Sequence, residues 1–436
     1  MSSGDGRLTV RGGAPLTGSL RLPGCKGVSH RALFAAAIAD GPSTVTNLGT
    51  GRDVASSRAV LERLGVQVTD SGERGVLVRG RGIGALVEPA EVLDCGNSGT
   101  TMRFLAGLTA GRPFLSVLVG DASLSQRPMA RVLDPLRAMG ARADGRDGGR
   151  LAPLVVRGGD LHGVRHDLAV ASGQVKTALV LAGLQADGVT EIVEPAPSRD
   201  HTERLLGALG APVEVVDPRT TRVRAGGVDG FTLDVPGDPS SAAFFVVAAC
   251  VVPSSHVVLE GVLGNPGRIA YLDVLREMGA DITIHDRGLR VGEPVVDIEV
   301  RAAALRGTVI RSSEGIVDEL PVLAVAAAFA DGPSEIVDAA ELRVKESDRI
   351  ATLVSELGRL GVGVEARPDG LAVAGGGAVR PEGAAFASHG DHRIAMAAAV
   401  AAAACGTEST IDGWGAADIS YPEFAAHLRA LGGDAA

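Results

Sequence analysis

Pro23-Gly24-Cys25-Lys26-Gly27-Val28-Ser29-His30-Arg31 runs without a break into Ala32-Leu33-Phe34-Ala35-Ala36-Ala37-Ile38-Ala39, and Gly41-Pro42 ends the run. A short polar and charged cluster thus leads into an Ala-rich apolar helix and then a turn. The pattern recurs six times, around Lys26, Asn97, Gln174, Asp238, Asp318 and Asp391, at intervals of 64 to 80 residues. A recurring interval marks a repeated architecture. Each cluster has the character of a helix start, with small or capping residues before a helical run. The first amides of a helix lack intrahelical partners and carry the positive end of its dipole, so each start attracts anions. Several such ends aimed at one cleft would suit a small, highly anionic ligand.

The first and fifth units show the same internal order. Leu20–Leu22 reads as extended, Ser29–Ala39 as a helix, Ser43–Leu48 as a strand, Arg52–Leu64 as a second helix, and Val66–Asp70 with Gly75–Arg79 as a hairpin. In the fifth unit Asp318–Ala330 reads as helix, Ser334–Val337 as strand and Asp348–Leu360 as helix. Ala-Asp-Gly-Pro-Ser occurs at 39–43 and again at 330–334, as a true repeat would leave it. The 60 glycines fit many tight turns.

With 436 residues the chain is too long for one ordinary core and suits two large domains. Leu22-Pro23-Gly24 and Val235-Pro236-Gly237 resemble each other, which places two crossovers there. One domain is expected over 24–236, and the other over 1–23 with 237–436, each of three units. Ordinary turns inside one large domain are the plain alternative. A net charge of -10 argues against nucleic acid and against anionic membrane as partners. One Trp and two Tyr offer few stacking platforms for bases. Cys25, Cys95, Cys250 and Cys405 are scattered, with no CxxC pair, which fits a reducing compartment and no zinc site. The polar start, Met1 to Gly6, lacks a signal-peptide layout, and the longest apolar run, Ile394–Cys405, is too short to span a bilayer. The expected location is cytoplasmic.

The clusters hold the chemistry. Lys26 and Arg31 sit at a helix start, where a cation opposes the dipole. An anionic partner explains them, and a solvated basic loop is the plain alternative. Asp94–Arg103 offers Gly96 and Gly99 for close backbone approach and Ser98, Thr100 and Thr101 as hydroxyls, but lacks the Gly-Lys-Ser/Thr of a P-loop. Arg127 precedes another helix, with Pro128 fitting its first position. Ala171–Lys176 and Ser198–Glu203 could donate to a phosphate or simply cap helices. Lys345, Glu346 and Arg349 gather at a helix start, where a carboxylate among cations can shuttle a proton; an ion-paired surface helix is the alternative. Asp391, His392 and Arg393 face a core helix and need a partner, which an anion could supply.

Taken in order, Leu-Pro-Gly-x-Lys…Ser-His-Arg-Ala, Gly-Asn-Ser-Gly-Thr-Thr-x-Arg, Arg-Pro-Met, Ser-x-Gln-Val-Lys, Ser-Arg-Asp-His-Thr-Glu, Val-Lys-Glu-Ser-Asp-Arg and Asp-His-Arg-x-Ala-Met closely resemble the enolpyruvyl transferases that act on 3-phosphoshikimate. The resemblance spans nearly the whole chain. It implies an α/β (α+β) fold, a two-domain inverse α/β barrel with three βαβαββ repeats per domain, closing over 3-phosphoshikimate and phosphoenolpyruvate. It implies a transferase of the shikimate pathway to chorismate and the aromatic amino acids, a monomer, and neither metal nor organic cofactor. Matched residue by residue, the resemblance implies Lys26, Asp318 and Glu346 as catalytic. It assigns Lys26, Asn97, Gly99, Thr100, Arg127, Gln174, Arg349 and Arg393 to phosphoenolpyruvate, with Arg103 in the same loop. It assigns Arg31, Ser172, Gln174, Ser198, Asp318 and Lys345 to shikimate phosphate. Gly99, where an Ala would intrude on glyphosate in the phosphoenolpyruvate site, implies sensitivity to that inhibitor.

Two positions depart from the family pattern: Gly27 stands where a Ser usually contacts the shikimate moiety, and Ile419 where many members have a Lys. Three other readings follow. A paralogue could act on a related cyclic alcohol in specialised metabolism. The sister enzyme that uses UDP-N-acetylglucosamine needs a loop Cys, but Arg127 holds that region. A catalytically silent anion-binding protein would have no need of Asp318 and Glu346.

Overall fold

The computed structural model describes residues 6–313, 315–376 and 382–436; the polar start at residues 1–5 lies outside them. All six clusters open or directly precede helices: α1 (Lys26–Ile38), α2 (Gly99–Ala110), α3 (Gly173–Gly183), α4 (Pro239–Val251), α5 (Leu320–Ala328) and α6 (His392–Ala404). Composition explains their burial. α4 is apolar on every side and buries every residue except Ser241 and Val251, as an interior helix must. The other helix of a repeat differs. Arg52–Arg63 buries only Val54, Ser57, Val60 and Leu61, one stripe at helical spacing.

Each repeat carries a four-stranded sheet of the same order. In the second, Leu93–Asp94 pairs parallel with Leu115–Val119, which pairs antiparallel with Leu151–Arg157, which pairs antiparallel with Arg142–Gly145. The third and fifth repeats follow the same rule.

The crossovers alter the expected strand assignment. Thr17–Arg21 does not open the first repeat. It pairs parallel with His256–Leu263 of the fourth, Leu20 opposite Leu259. The first repeat takes its parallel strand from Thr232–Asp234, with Leu233 opposite Val45 in Asp40–Thr46. The reason is local: Pro23-Gly24 and Pro236-Gly237 break the chain just after these strands, so each strand stays behind in the sheet it was already part of. The sixth repeat borrows likewise, pairing Arg7–Arg11 antiparallel with Glu408–Asp412.

Two compact units result. The inserted unit is Gly24–Val235 with Leu289–Glu293; the flanking unit is Met1–Pro23, Pro236–Gly288 and Pro294–Ala436. Pro236 thus falls on the other side of the boundary from the sequence expectation, and so does Leu289–Glu293, which no sequence feature marked. That short segment is fixed within the inserted unit. Glu293 meets His201 Nδ1 at 2.7 Å, and Arg290 pairs with Asp234 at 2.5 Å. Gly292 has φ +81, and a Cβ there would lie 2.4 Å from the Arg204 carbonyl. Local boundaries shift too. α1 begins at Lys26 rather than Ser29, and Gly41-Pro42 lies within the strand Asp40–Thr46. Asp318 and Glu319 form a turn ahead of α5, and Pro128 precedes the helix Ala130–Ala138 instead of opening it. Among the described residues no helix is long and apolar enough to cross a membrane.

Small residues let the interior helices meet backbone to backbone. A Cβ on Gly107 of α2 would lie 2.1 Å from the carbonyl oxygen and 2.7 Å from the Cα of Ala178 in α3. Neither atom can swing aside. Gly107→Ala should therefore lower the unfolding free energy of the inserted unit by roughly 1–3 kcal/mol. Gly358→Ala, in the exposed face of Arg349–Arg359 with nothing within 4 Å of the new methyl, should stabilise by about 0.5–1 kcal/mol. Denaturant melts of both variants check the pair; equal melting of Gly107→Ala and wild type would contradict the close crossing.

Candidate active site

In the inserted unit, Lys26 heads α1 with its Nζ 3.3 Å from Asp53 Oδ2. Arg31, one turn further on, is 7% exposed. Its Nε donates to Thr202 Oγ1 at 2.6 Å, Nη1 to the Gly27 carbonyl at 2.8 Å, and Nη2 to Thr177 Oγ1 at 3.0 Å and the Gly173 carbonyl at 3.3 Å. The guanidinium also lies over the Phe104 ring. Burial pushes its pKa down to about 10, and one N–H on Nη1 has no acceptor among these bonds.

The α2 start gathers the second cluster. Ser98 caps the helix by accepting from the Thr101 amide. Asn97 donates to Asp121 Oδ2 at 2.7 Å and accepts from Arg127 Nη2 at 2.7 Å, so one amide orients the Arg127 guanidinium. Gln174, from the first turn of α3, accepts from Arg103 Nη1 and donates to Thr100 Oγ1 at 2.9 Å. Arg103 is 8% exposed, and its buried Nε has no hydrogen-bond partner among the described residues. Burial, then the charges of Arg131 and Arg127, bring its pKa to about 10. Gly99 is where these cations crowd: a Cβ would lie 2.8 Å from Arg103 Nη1 and 3.5 Å from Arg127 Nη1. Ser172 caps α3 by accepting from the Val175 amide at 3.4 Å, and Ser198 Oγ donates to Glu194 Oε2 at 2.9 Å.

The flanking unit has a second constellation. Arg349, at the start of Arg349–Arg359, is 1% exposed. Its Nε donates to Asp391 Oδ2 at 2.7 Å, and its Nη2 reaches Asp391 Oδ1 at 3.3 Å and Glu346 Oε2 at 2.7 Å. Nη1 is buried without a hydrogen-bond partner among the described residues. Asp391 caps α6 through the Arg393 amide at 2.8 Å. The partner of this acidic cap is therefore the protein's own Arg349, not the anion that the sequence suggested. Burial alone would raise the Glu346 carboxyl; Arg349 and then His392 outweigh it and hold it below the usual range. Arg393 Nη1 donates to the Asp318 carbonyl at 2.7 Å, and Nη2 lies 3.7 Å from Asp318 Oδ2, so the α6 start fixes the turn that carries Asp318. Lys345 does not bond within this group; it pairs with Glu341, four residues back.

Comparison with known proteins then decides the family. A model of EPSP synthase (3-phosphoshikimate 1-carboxyvinyltransferase) matches residues 10–428. The chain belongs to the EPSP synthase family. The 3-phosphoshikimate 1-carboxyvinyltransferase of Herpetosiphon aurantiacus is 49% identical over 430 residues, covering 98% of this chain and 99% of that one. The solved EPSP synthase of Acinetobacter baumannii superposes with a TM-score of 0.90 at 37% identity, covering 99% of both chains. The enolpyruvyl transferase NikO of Streptomyces tendae shares the fold, with a TM-score of 0.78 at 19% identity.

Within this family setting, the sequence clusters contain Lys176, Glu203 and Glu319 without giving them a role, and they miss Glu194. Lys176 is 3% exposed and bonds both Glu194 and Glu203, which are also buried. Burial would lower the Lys176 pKa, but Glu203 and Glu194 outweigh it. Glu319, beside Asp318, is buried and accepts from Ser240; burial and the Asp318 charge raise its pKa. Glu194, at a strand end, has no spacing signature. The four cysteines are all buried free thiols, unlike the exposed loop Cys that the sister-enzyme reading requires.

The Asp391–Arg349 pair gives a stability prediction. Asp391 is held below its ordinary value of 3.8 chiefly because Arg349 outweighs the burial cost. Its contribution is complete above that value and is lost as pH falls below it. Asp391→Ala leaves a buried guanidinium without its main partner and should cost roughly 3–5 kcal/mol at neutral pH. It should also flatten the acid limb of the stability profile. Melts between neutral pH and pH 3 check both; a steep acid limb retained in the variant would contradict the assignment.

Proposed function

We propose that this chain transfers the enolpyruvyl group of phosphoenolpyruvate to the 5-hydroxyl of 3-phosphoshikimate and releases phosphate, in the route to chorismate and the aromatic amino acids. The observation that carries the reading is the family match across residues 10–428, with Lys26, Arg31, Arg127, Asp318, Lys345, Glu346, Arg349 and Arg393 at their motif positions. The reaction itself requires no metal. We further propose a cytoplasmic monomer.

Both substrates are anions, and the donors suit them. Lys26, Asn97, Gly99, Thr100, Arg127 and Gln174 of the inserted unit, and Arg349 and Arg393 of the flanking unit, are assigned to phosphoenolpyruvate. Arg31, Ser172, Gln174, Ser198, Asp318 and Lys345 are assigned to the acceptor. Arg349 Nη1 and Arg103 Nε are buried donors with no acceptor among the described residues. Such groups cost free energy until an anion takes them.

The chemistry is addition followed by elimination. A proton adds to C3 of phosphoenolpyruvate, with Lys26 as acid, and C2 becomes electrophilic. The 5-hydroxyl oxygen bonds to C2 and gives its proton to Asp318. The methyl group of the tetrahedral adduct then loses a proton to Glu346 as the C2–O bond to phosphate breaks. Glu346 is suited to the second step because Arg349 keeps it ionised. An anion on Arg349 offsets that grip and raises the proton affinity of Glu346 when substrate is bound. The arginines stabilise charge on the departing phosphate. A Ser would fit at Gly27, since a Cβ there would meet Arg31 Nη1 at 3.6 Å and His201 Cδ2 at 3.7 Å, ordinary contacts; what Gly27 withholds from the acceptor is a hydroxyl.

Glu346→Gln and Asp318→Asn should each lower kcat by roughly 10²–10⁴-fold while the protein stays folded. Phosphate release from phosphoenolpyruvate, with 3-phosphoshikimate first in a panel of cyclic alcohols, measures this. Near wild-type release by either variant would remove its assigned role, and preference for another alcohol would favour the specialised paralogue.

Inhibition gives a separate test. Glyphosate, an anionic phosphonate, should compete with phosphoenolpyruvate at the cations around Gly99. Gly99→Ala would press its methyl on Arg103 and crowd Arg127. It should weaken inhibition far more than it raises the KM for phosphoenolpyruvate. Inhibition of both proteins at saturating 3-phosphoshikimate is the measurement; equal inhibition would show that Gly99 does not line the inhibitor site.

A further inference from the structure

Glu194 follows the strand Val189–Val193, and its side chain is 1% exposed. Its Oε1 accepts from the Ser172 backbone N–H at 2.9 Å. Its Oε2 accepts from Ser198 Oγ at 2.9 Å and from Lys176 Nζ at 2.9 Å. One carboxylate thus ties the loop before α3 to the loop before the helix His201–Ala208. Lys176 continues the link by donating to Glu203 Oε1 at 2.7 Å within that helix.

Two facts make this more than a buried ion pair. First, a carboxylate next to an anion site works against anion binding by charge repulsion, so a purely structural link would be better made by a neutral group. Lys176 offsets that charge from 2.9 Å. Second, the two serine hydroxyls are held in different states. Ser172 Oγ accepts from the Val175 amide, which leaves its O–H available as a donor. Ser198 has a single O–H, and it is given to Glu194.

We propose that Glu194 is a positioning residue for the phosphate group of the acceptor. It sets the spacing of Ser172 and Ser198, and it holds the Ser198 hydroxyl until a phosphate oxygen takes that hydrogen bond. Lys176 then remains with Glu194 and keeps it from repelling the ligand. The proposal rests on the assignment of Ser172 and Ser198 to the 3-phosphate made under the proposed function.

The test is a full kinetic comparison of wild type and Glu194→Gln. The amide is isosteric but has one accepting oxygen: with that oxygen on Ser198 and Lys176 its NH2 opposes the Ser172 N–H, and with it on Ser172 the NH2 opposes Ser198 and Lys176, so one side of the link is lost in either orientation. The KM for 3-phosphoshikimate should rise about 10- to 100-fold, the equivalent of one hydrogen bond to a charged group. The kcat and the KM for phosphoenolpyruvate should not change. A merely structural role would move the melting temperature and all three constants together, and that result would overturn the proposal, as would an unchanged KM for 3-phosphoshikimate. Should Glu194→Gln not fold, Glu194→Asp carries the same test: one methylene shorter, it cannot span Ser172 and Ser198, and the same split between the two KM values is expected. A wild type inactive on 3-phosphoshikimate would overturn the functional reading and this proposal together. An active wild type with an insensitive Glu194→Gln would overturn the proposal alone.

Discussion

The buried guanidinium of Arg349 is the constraint around which the flanking-unit constellation is arranged. A cation that is 1% exposed cannot persist without compensation. Asp391 supplies it, and because Asp391 also caps α6, the start of that helix is fixed at the same time. Arg393, two residues on, then holds the Asp318 turn, and Arg349 itself reaches Glu346. One buried charge therefore sets the places of both carboxylates proposed to move protons. The repeated fold makes this possible, since each interior helix offers its unpaired amides at its start.

In the inserted unit Lys26 and Lys176 also pair with carboxylates, but three site arginines are held by neutral hydrogen-bond partners. Arg31 is bracketed by two carbonyls and two threonine hydroxyls. Arg103 and Arg127 are steered by the amides of Gln174 and Asn97. Neutral acceptors leave the positive charge uncancelled, which is what an anionic ligand requires. The Asp391–Arg349–Glu346 group instead pairs charge with charge, which tunes proton affinity.

Much of this was legible in the sequence because apolar periodicity and helix-start chemistry are local. The six helix starts, the alternation of interior and amphipathic helices, and the second helix of the fifth repeat are all carried by residues close in sequence. The strand exchange was not legible, because Leu20 and Leu233 look alike as strand residues and only long-range pairing decides their sheets. Leu289–Glu293 was missed for the same reason: His201 and Asp234, its partners, are distant in the chain. At the site, the motif residues were named but their partners were not. Asp391 read as a group in need of an anion because nothing in its own neighbourhood announces Arg349, 42 residues earlier. Glu194 carries no motif, and its significance lies wholly in what it touches.

The central claim is that C3 of phosphoenolpyruvate gains and then loses a proton through Lys26 and Glu346, with the acceptor hydroxyl adding to C2 in between. Turnover in deuterium oxide with 3-phosphoshikimate tests it most directly, read by proton NMR of the enol ether product. The account predicts deuterium in the product's vinylic methylene, because the transient methyl group carries one solvent deuteron and loses any of its three hydrogens. A product formed at full rate with a wholly protiated methylene would contradict the account.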